Sequence, residues 1–171
     1  EEWLAHDPDL GRDIALKLIL LPPGADATER AGYEQRFFAE ARSAARLSHP
    51  GIVVVHDVGR DTLTSAPFMA LQFVPGETLD RVLKQKTRLE PQEALRVTMV
   101  VAEALHHAHM QGVVHRDVKP ANIMILPGGE PRIMDFGIAK LESSRLTATG
   151  QFVGTPLYMS PEQAMVHPVD G

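Results

Sequence analysis

The chain has 171 residues, of which 44% are apolar and 23% charged, a composition typical of a globular protein rather than a disordered one. Its 17 basic and 22 acidic residues give a formal net charge of −5 with no basic block, so a nucleic-acid surface is not expected. The absence of cysteine excludes disulfides and thiolate metal sites, and no apolar run reaches the roughly 20 residues of a membrane span.

Two strands are predicted at the start of the chain, over residues 3–5 and 13–21. The second is rich in β-prone side chains and carries Lys17 among its aliphatic residues, which is unusual for a strand that packs on a core. A turn rich in proline and glycine ends it, and either Asp26 or Thr28 can cap the helix that follows.

The spacing of apolar residues predicts a helix over residues 29–47. One face of this helix carries Tyr33, Phe37, Ala41 and Ala44. Glu40 lies three residues after Phe37 and four before Ala44, so it points inward with them, although a surface position is the usual one for a helical glutamate.

Further strands are predicted over residues 52–58 and 67–74, and a turn follows the second. A second helix is predicted over residues 90–111, with Pro91 in its first turn and Gly112 at its end. Its predicted buried stripe is Ala94, Val97, Val101, Leu105 and Ala108. The strand-rich first third and the helical middle favour two lobes joined near residues 74–76.

The stretch HRDVKPANIM, residues 115–124, contains several polar side chains that could take part in catalysis or binding. Asp117, Lys119 and Asn122 put a carboxylate, an ammonium and an amide on one non-periodic segment, and MDFG follows at residues 134–137. These groups suit phosphate and a divalent cation better than they suit packing. A loop of solvated polar residues is the alternative, and the joint match of H-R-D-x-K-x-x-N with DFG argues against it.

Together with GTPLYMSPEQA at residues 154–164, these motifs resemble those of the eukaryotic-like protein kinases, and most of all the bacterial serine/threonine kinases. The resemblance implies an α+β, two-lobed kinase-like fold truncated at both ends. Residues 1–74 would form an antiparallel-sheet N-lobe with one helix, and residues 75–171 a helical C-lobe. Because the Gly-rich loop and the C-terminal helices would lie outside the chain, we expect the isolated fragment to have low stability and little activity.

The resemblance also implies catalytic roles. Asp117 would accept the proton of the substrate hydroxyl, and Lys119 would lie near the γ-phosphate of ATP. Asn122 and Asp135 would bind Mg²⁺. No strong base is needed, because the reaction depends mainly on positioning and on neutralising charge.

Residues of the nucleotide site follow from the same resemblance. Lys17 would hold the α- and β-phosphates, and Glu40 would be its ion-pair partner, since an inward charge without a partner is costly. The residues implied around adenine are Leu71 as gatekeeper, the backbone of Gln72 and Val74, and Ala15 and Met124 on the two faces of the ring. Packing alone would also explain these apolar residues.

Regulatory residues are implied as well. A stack of four side chains would link the lobes: His115, Phe136, Val55 and Ala44, the last being small for this role. Thr147 and Thr149 would be autophosphorylated, and Arg116 could pair with an added phosphate. Thr155 would contact the catalytic loop.

The implied activity is transfer of the ATP γ-phosphate to serine or threonine of protein substrates, with self-association for autophosphorylation and no contact with membrane or nucleic acid. We expect a cytoplasmic segment whose parent protein is anchored in the membrane elsewhere. One alternative is a nucleotide-binding pseudokinase or scaffold. Another is a small-molecule phosphotransferase, which has no need of a GTPLYMSPE platform. A metal site at His106, His107 and His109 lacks the ligands to complete it.

Overall fold

The computed structural model describes residues 2–19, 24, 26–136, 156–165, 167 and 169–170. Its first part contains an antiparallel sheet in the order β1-β2-β4-β3. The strands are β1 (Glu2–Asp7), β2 (Arg12–Leu18), β3 (Val55–Arg60) and β4 (Pro67–Gln72). The hairpin of β1 and β2 pairs Glu2 with Lys17, so these two side chains lie on the same face of the sheet.

Helix α1 (Ala27–Ala44) begins with a capping box. The Asp26 carboxylate accepts hydrogen bonds from the backbone of Thr28 and Glu29, and the Glu29 side chain accepts one from the Asp26 amide. All four predicted core residues of this helix are buried. The helix ends at Ala44, three residues before the predicted end. The prediction was too long because the apolar pattern continues to Leu47, which lies in the turn after the helix and is 3% exposed.

A second, three-stranded sheet has the order β5-β6-β7. It consists of β5 (Glu77–Thr78), β6 (Ile123–Ile125) and β7 (Pro131–Ile133). Helix α2 (Leu79–Lys86) follows β5 directly and was not predicted. Its apolar residues Leu79, Val82 and Leu83 have helical spacing, but the helix is only eight residues long, and a pattern confined to two turns is a weak signal. Short elements near the C-terminus are a 3-10 helix (Pro156–Tyr158) and α4 (Pro161–Ala164).

Helix α3 (Pro91–Met110) supports the second sheet. Its buried residues are Val97, Val101, Ala104 and Ala108. Of the predicted stripe, Ala94 and Leu105 are only half-buried, and Ala104 occupies the centre of the face instead. Gly112 has a φ of 72°, a conformation that glycine adopts without strain, and the helix has ended just before it. No helix within the described residues combines the length and apolarity that crossing a bilayer requires.

The segment after α1 joins the two sheets through backbone groups. The amide of Val53 donates to the carbonyl of Ile133 at 2.9 Å, and the amide of Ile133 donates to the carbonyl of Gly51 at 2.8 Å. Ile52 and Ile133 thus form a parallel bridge. The predicted strand over residues 52–58 enters its own sheet only at Val55, because its first residues are used in this junction.

Two apolar clusters form the core. The smaller lies between α1 and the first sheet and contains Ile19, Tyr33, Phe37, Ala41 and Met69. The larger extends from the end of α1 into the second part of the molecule. Its buried members are Ala44, Leu47, Ile52, Leu79, Val97, Val101, Ala104, Ala108, Val113, Ile123, Ile133 and Phe136. Since Ala44, Leu47 and Ile52 belong to the larger cluster, apolar packing as well as hydrogen bonding unites the two parts.

We predict that Gly76→Ala destabilises the protein. A Cβ atom at this position would lie 2.3 Å from the carbonyl oxygen of Ile125, a backbone atom that cannot move aside easily. We expect a loss of about 1–3 kcal/mol in the free energy of unfolding, measured by urea titration. Gly32→Ala is the matched control: a Cβ there meets nothing within 4 Å and lies in α1, so that change should stabilise slightly. Equal effects of the two changes would contradict the prediction.

Candidate active site

The loop between α3 and β6 is anchored by a buried histidine. His115 is 1% exposed and lies within hydrogen-bonding distance of two backbone groups. Its Nε2 is 2.8 Å from the carbonyl oxygen of Met134, and its Nδ1 is 3.2 Å from the amide of Asp117. A neutral ring that donates through Nε2 and accepts through Nδ1 satisfies both contacts.

The environment of His115 favours that neutral form. Burial is the main cause and lowers the pKa of His115 below its ordinary value, although the Met134 carbonyl and the carboxylates of Asp135 and Asp117 act in the opposite direction. The ring also packs on Phe136, with 4.6 Å between ring centroids. The histidine therefore ties Asp117 to the segment that carries Asp135.

Three side chains of the loop meet at one carboxylate oxygen. Oδ2 of Asp117 lies 2.7 Å from Nζ of Lys119 and 2.8 Å from Nδ2 of Asn122. The same Asn122 nitrogen also donates to the carbonyl of Asp117 at 2.8 Å. A 3-10 turn (Pro120–Asn122) supplies the tight spacing that brings Asn122 back to Asp117. Lys119 and Asn122 thus both hold the Asp117 carboxylate through the same oxygen, Oδ2.

Asp135 follows β7 and faces Lys17 of the first sheet. Its backbone has a φ of 65°, in the left-handed region that aspartate tolerates better than most side chains. Oδ1 of Asp135 lies 2.8 Å from Nζ of Lys17. Strands β6 and β7 pair, and the amide of Met134 donates to the carbonyl of Asn122 at 3.0 Å. Asn122, just before β6, and Asp135, just after β7, therefore lie at neighbouring ends of two paired strands.

The ion-pair partners of Lys17 differ from the predicted one. Among the described residues, the carboxylates within ion-pair distance of its ammonium are those of Asp135 and Glu2, the latter at 2.9 Å. The expected pair of Lys17 with Glu40 is not among the ion pairs between described residues, where the partners of Lys17 come from the hairpin and from the end of β7. Burial alone would lower the pKa of Lys17, but the two carboxylates outweigh it and raise the pKa above its ordinary value.

The oxygen atoms near this cluster fit a hard divalent cation. Both donor contacts of the Asn122 amide nitrogen go to Asp117, which leaves its oxygen as a neutral ligand, and Asp135 adds a carboxylate. No group of three or more histidine or acidic side chains gathers as a metal site in the described part of the chain. Mg²⁺ commonly takes its remaining ligands from phosphates and water, so two protein ligands are sufficient.

Of the residues predicted around adenine, Ala15, Leu71 and Gln72 lie on the adjacent strands β2 and β4, Val74 follows β4, and Met124 belongs to the second sheet. Ala15 of β2 is paired with Leu71 of β4, and Leu71 is also paired with Val55 of β3. Val74 is buried, at 8% exposure. Met124 lies on β6 of the second sheet, opposite Thr78. Gln72 donates its amide to the carbonyl of Val54, and its side-chain Oε1 is buried with no hydrogen-bond partner among the described residues.

The predicted stack of four side chains is contiguous. Ala44 and Phe136 belong to one apolar cluster, Val55 packs against it, and His115 contacts Phe136. A cavity lies behind Leu71 and is lined in part by Ala44, Val55 and Phe136. The small side chain of Ala44 therefore leaves space in the stack rather than interrupting it.

A model of the protein kinase domain matches residues 4–169 of the chain. The chain belongs to the protein kinase domain family. It is 40% identical over 175 aligned residues to the probable serine/threonine-protein kinase SCO3848 of Streptomyces coelicolor, covering 99% of this chain and 25% of the relative. It is 42% identical over 169 residues to the serine/threonine-protein kinase PknA of Mycobacterium tuberculosis, covering 96% of this chain and 38% of the relative.

Solved kinase structures share the fold. The kinase domain of Mycobacterium tuberculosis PknI superposes with a TM-score of 0.76 at 30% identity, and the match covers 99% of this chain and 61% of that one. The expected α+β, two-lobed kinase fold is thereby confirmed. The chain spans about three fifths of the solved domain and a quarter to two fifths of the two curated relatives. Protein kinases generally use ATP and Mg²⁺.

Three of the predicted regulatory residues lie outside the described residues, namely Thr147, Thr149 and Thr155. Arg116 is described, and its φ of 67° is in the left-handed region. Its carbonyl accepts a hydrogen bond from Nε2 of Gln163, a residue of α4 whose side chain also completes a capping box with Ser160. Gln163 of α4 thus contacts the backbone of the loop that carries Asp117.

Two residues of this candidate site, Glu2 and Gln163, were not predicted from the sequence. The position of Glu2 could have been obtained from the hairpin, since a turn centred on residues 8–11 places residue 2 opposite residue 17. The contact of Gln163 with Arg116 joins residues 47 positions apart through a backbone oxygen, and no pattern of side chains indicates it.

We predict that His115 makes the stability of this protein depend on pH. Because the pKa of His115 is lowered in the fold, the unfolded chain binds the extra proton first. The neutral His115 ring makes its full contribution to the free energy of unfolding above the unfolded pKa of about 6.5. That contribution is lost as the pH falls below this value, by at most about 1.4 kcal/mol per pH unit. The measurement is urea unfolding between pH 7.5 and 5.

In that experiment His115→Gln should flatten the slope of unfolding free energy against pH, whatever it does to stability at pH 7.5. His106→Gln is the matched control, because His106 is exposed on α3. If His106→Gln flattened the slope as much as His115→Gln, the buried ring would not be the cause of the pH dependence.

Proposed function

We propose that this chain is the central part of an ATP-dependent serine/threonine protein kinase that transfers the ATP γ-phosphate to hydroxyls of protein substrates. The observation that carries the proposal is the position of two clusters at neighbouring ends of the paired strands β6 and β7: Asp117 with Lys119 and Asn122 before β6, and Asp135, after β7, with Lys17 of β2. Residues 1–74 and 75–171 are the corresponding parts of the N-lobe and C-lobe. The names of the similar proteins support the same activity.

Asp117 orients the substrate hydroxyl in this proposal. One carboxylate oxygen is held by Lys119 and Asn122, so the other can accept the hydrogen bond of a serine or threonine hydroxyl and later its proton. Its side chain is 30% exposed, which leaves it accessible to a substrate from the cleft. An ordinary carboxylate is sufficient, because orientation supplies much of the rate enhancement in phosphoryl transfer.

Two lysines neutralise phosphate charge. Lys17 lies on the sheet side of the site and would bind the α- and β-phosphates, while Lys119 lies beside Asp117 and would contact the γ-phosphate. Asn122 and Asp135 would hold Mg²⁺, which when bound adds positive charge against the phosphate oxygens. Glu40 keeps its proposed role as a second partner of Lys17 in a nucleotide-bound form.

The remaining assignments extend the same site. Ala15, Leu71 and Met124, with the backbone of Gln72 and Val74, would enclose adenine, which agrees with the pairing of Ala15 and Leu71 on adjacent strands. Thr147 and Thr149 would accept phosphate when two copies associate, and Arg116 would bind it. Thr155 would help to shape the substrate site.

The deciding test is Asp117→Asn in the intact natural protein that carries this chain. We expect phosphate transfer to protein to fall by about 10²-fold or more, because the proton acceptor is removed. ATP binding should change little, since Asp117 does not contact the nucleotide in this proposal. Transfer of radiolabelled phosphate to a generic protein substrate and ATP titration calorimetry measure the two effects.

Asp9→Asn is the control for that test, because Asp9 is an exposed carboxylate in the turn between β1 and β2. Wild-type turnover in Asp117→Asn would refute the assigned role. Binding of ATP by the wild-type protein with no transfer to any protein would instead favour a pseudokinase.

Asp135 provides an independent test of cation binding. We predict that Asp135→Asn weakens the affinity for ATP in the presence of Mg²⁺, because the carboxylate is the charged ligand of the proposed pair. Adenosine affinity should stay near that of the wild type. Calorimetry with ATP and with adenosine, each with and without Mg²⁺, separates the two effects. Equal loss for adenosine would mean that the substitution disturbs the fold rather than the cation site.

A further inference from the structure

A second carboxylate stands at the ammonium of Lys17. Glu2 is paired with Lys17 across the hairpin, and Oε1 of Glu2 lies 2.9 Å from Nζ. The lysine side chain is 15% exposed, whereas that of Glu2 is 55% exposed. Since Asp135 contacts the same ammonium at 2.8 Å, two of its three N–H donors point to carboxylates in this structure.

Asp135 and Glu2 differ in the partners that are available to them when a nucleotide binds to Lys17. Asp135 is 18% exposed and belongs to the proposed cation site, so it has a further partner of opposite charge. Glu2 has no such role. It lies on β1, and its side chain, which is 55% exposed, can turn into water at little cost.

Phosphate groups and Glu2 require the same donor. A polyphosphate that binds Lys17 must displace the Glu2 carboxylate from the ammonium, or bind beside it and experience repulsion between like charges. Either way the negative charge of Glu2 acts against the phosphates and not against the nucleoside. Neutralising Glu2 should therefore favour ATP and ADP selectively.

We propose that Glu2 determines the affinity of the site for polyphosphate nucleotides: it holds Lys17 in the nucleotide-free protein and weakens ATP binding by competing for the ammonium. This inference rests on the proposed function, because it takes Lys17 to be the phosphate-binding lysine. Glu2 is an affinity-determining residue in this arrangement and takes no part in phosphate transfer. A neutral side chain of the same shape removes the competition.

The experiment compares Glu2→Gln with the wild type in the intact natural protein, by calorimetric titration of ATP, ADP and adenosine. We expect ATP and ADP to bind roughly three- to tenfold more tightly to Glu2→Gln, with adenosine unchanged. The gain should shrink as salt is raised from low to high concentration, because the site is partly exposed. Asp13→Asn is the matched control, since it removes one exposed negative charge from the same hairpin but not from the neighbourhood of the ammonium.

Other outcomes overturn the inference. Unchanged or weaker ATP binding in Glu2→Gln, with normal binding and transfer by the wild type, would mean that Glu2 does not compete or that it positions Lys17 for the nucleotide. An equal gain for adenosine, or an equal gain in Asp13→Asn, would mean that the effect is not specific to phosphate. Failure of the wild type to bind ATP at all would overturn the proposed function and this inference together.

Discussion

The ion pair between Lys17 and Asp135 is the contact on which the arrangement of the site depends. The two residues are 118 positions apart and belong to different sheets, and both side chains are largely withdrawn from water. A charge in such a position is stable only with a partner, so each residue restricts where the other can lie. The pair holds the first sheet against the end of β7, where the proposed phosphate and cation ligands come together.

The catalytic loop is held by a different kind of interaction, an uncharged one. His115 connects the backbone of Asp117 to that of Met134 and at the same time packs on Phe136. Because a neutral imidazole can donate at one nitrogen and accept at the other, one side chain satisfies two buried backbone groups without burying a charge. The ionised side chains of Asp117 and Lys119 remain partly open to solvent, at 30% and 25% exposure.

Local patterns predicted much of this protein. The buried face of α1, the capping role of Asp26 and the motif residues of the loop follow from periodicity and spacing, which depend only on neighbours in the chain. Of the two partners of Lys17, Glu2 is within reach of the hairpin pattern, whereas Asp135 is 118 positions away, and that contact depends on how the two sheets are placed in three dimensions. Helix α2 was missed because it has only eight residues, so its helical spacing extends over little more than two turns. The contact of Gln163 with Arg116 uses a backbone oxygen, which every residue possesses.

The backbone junction between residues 51–53 and Ile133 has an evolutionary consequence. Its hydrogen bonds come from amides and carbonyls, so no particular side chain has to be preserved for the two parts of the molecule to stay connected. Ile52 and Ile133 need only remain apolar, because both lie in the large cluster. The joint can therefore persist while sequences diverge, and mutations can alter the surfaces on either side without disconnecting the lysine-bearing sheet from the catalytic loop.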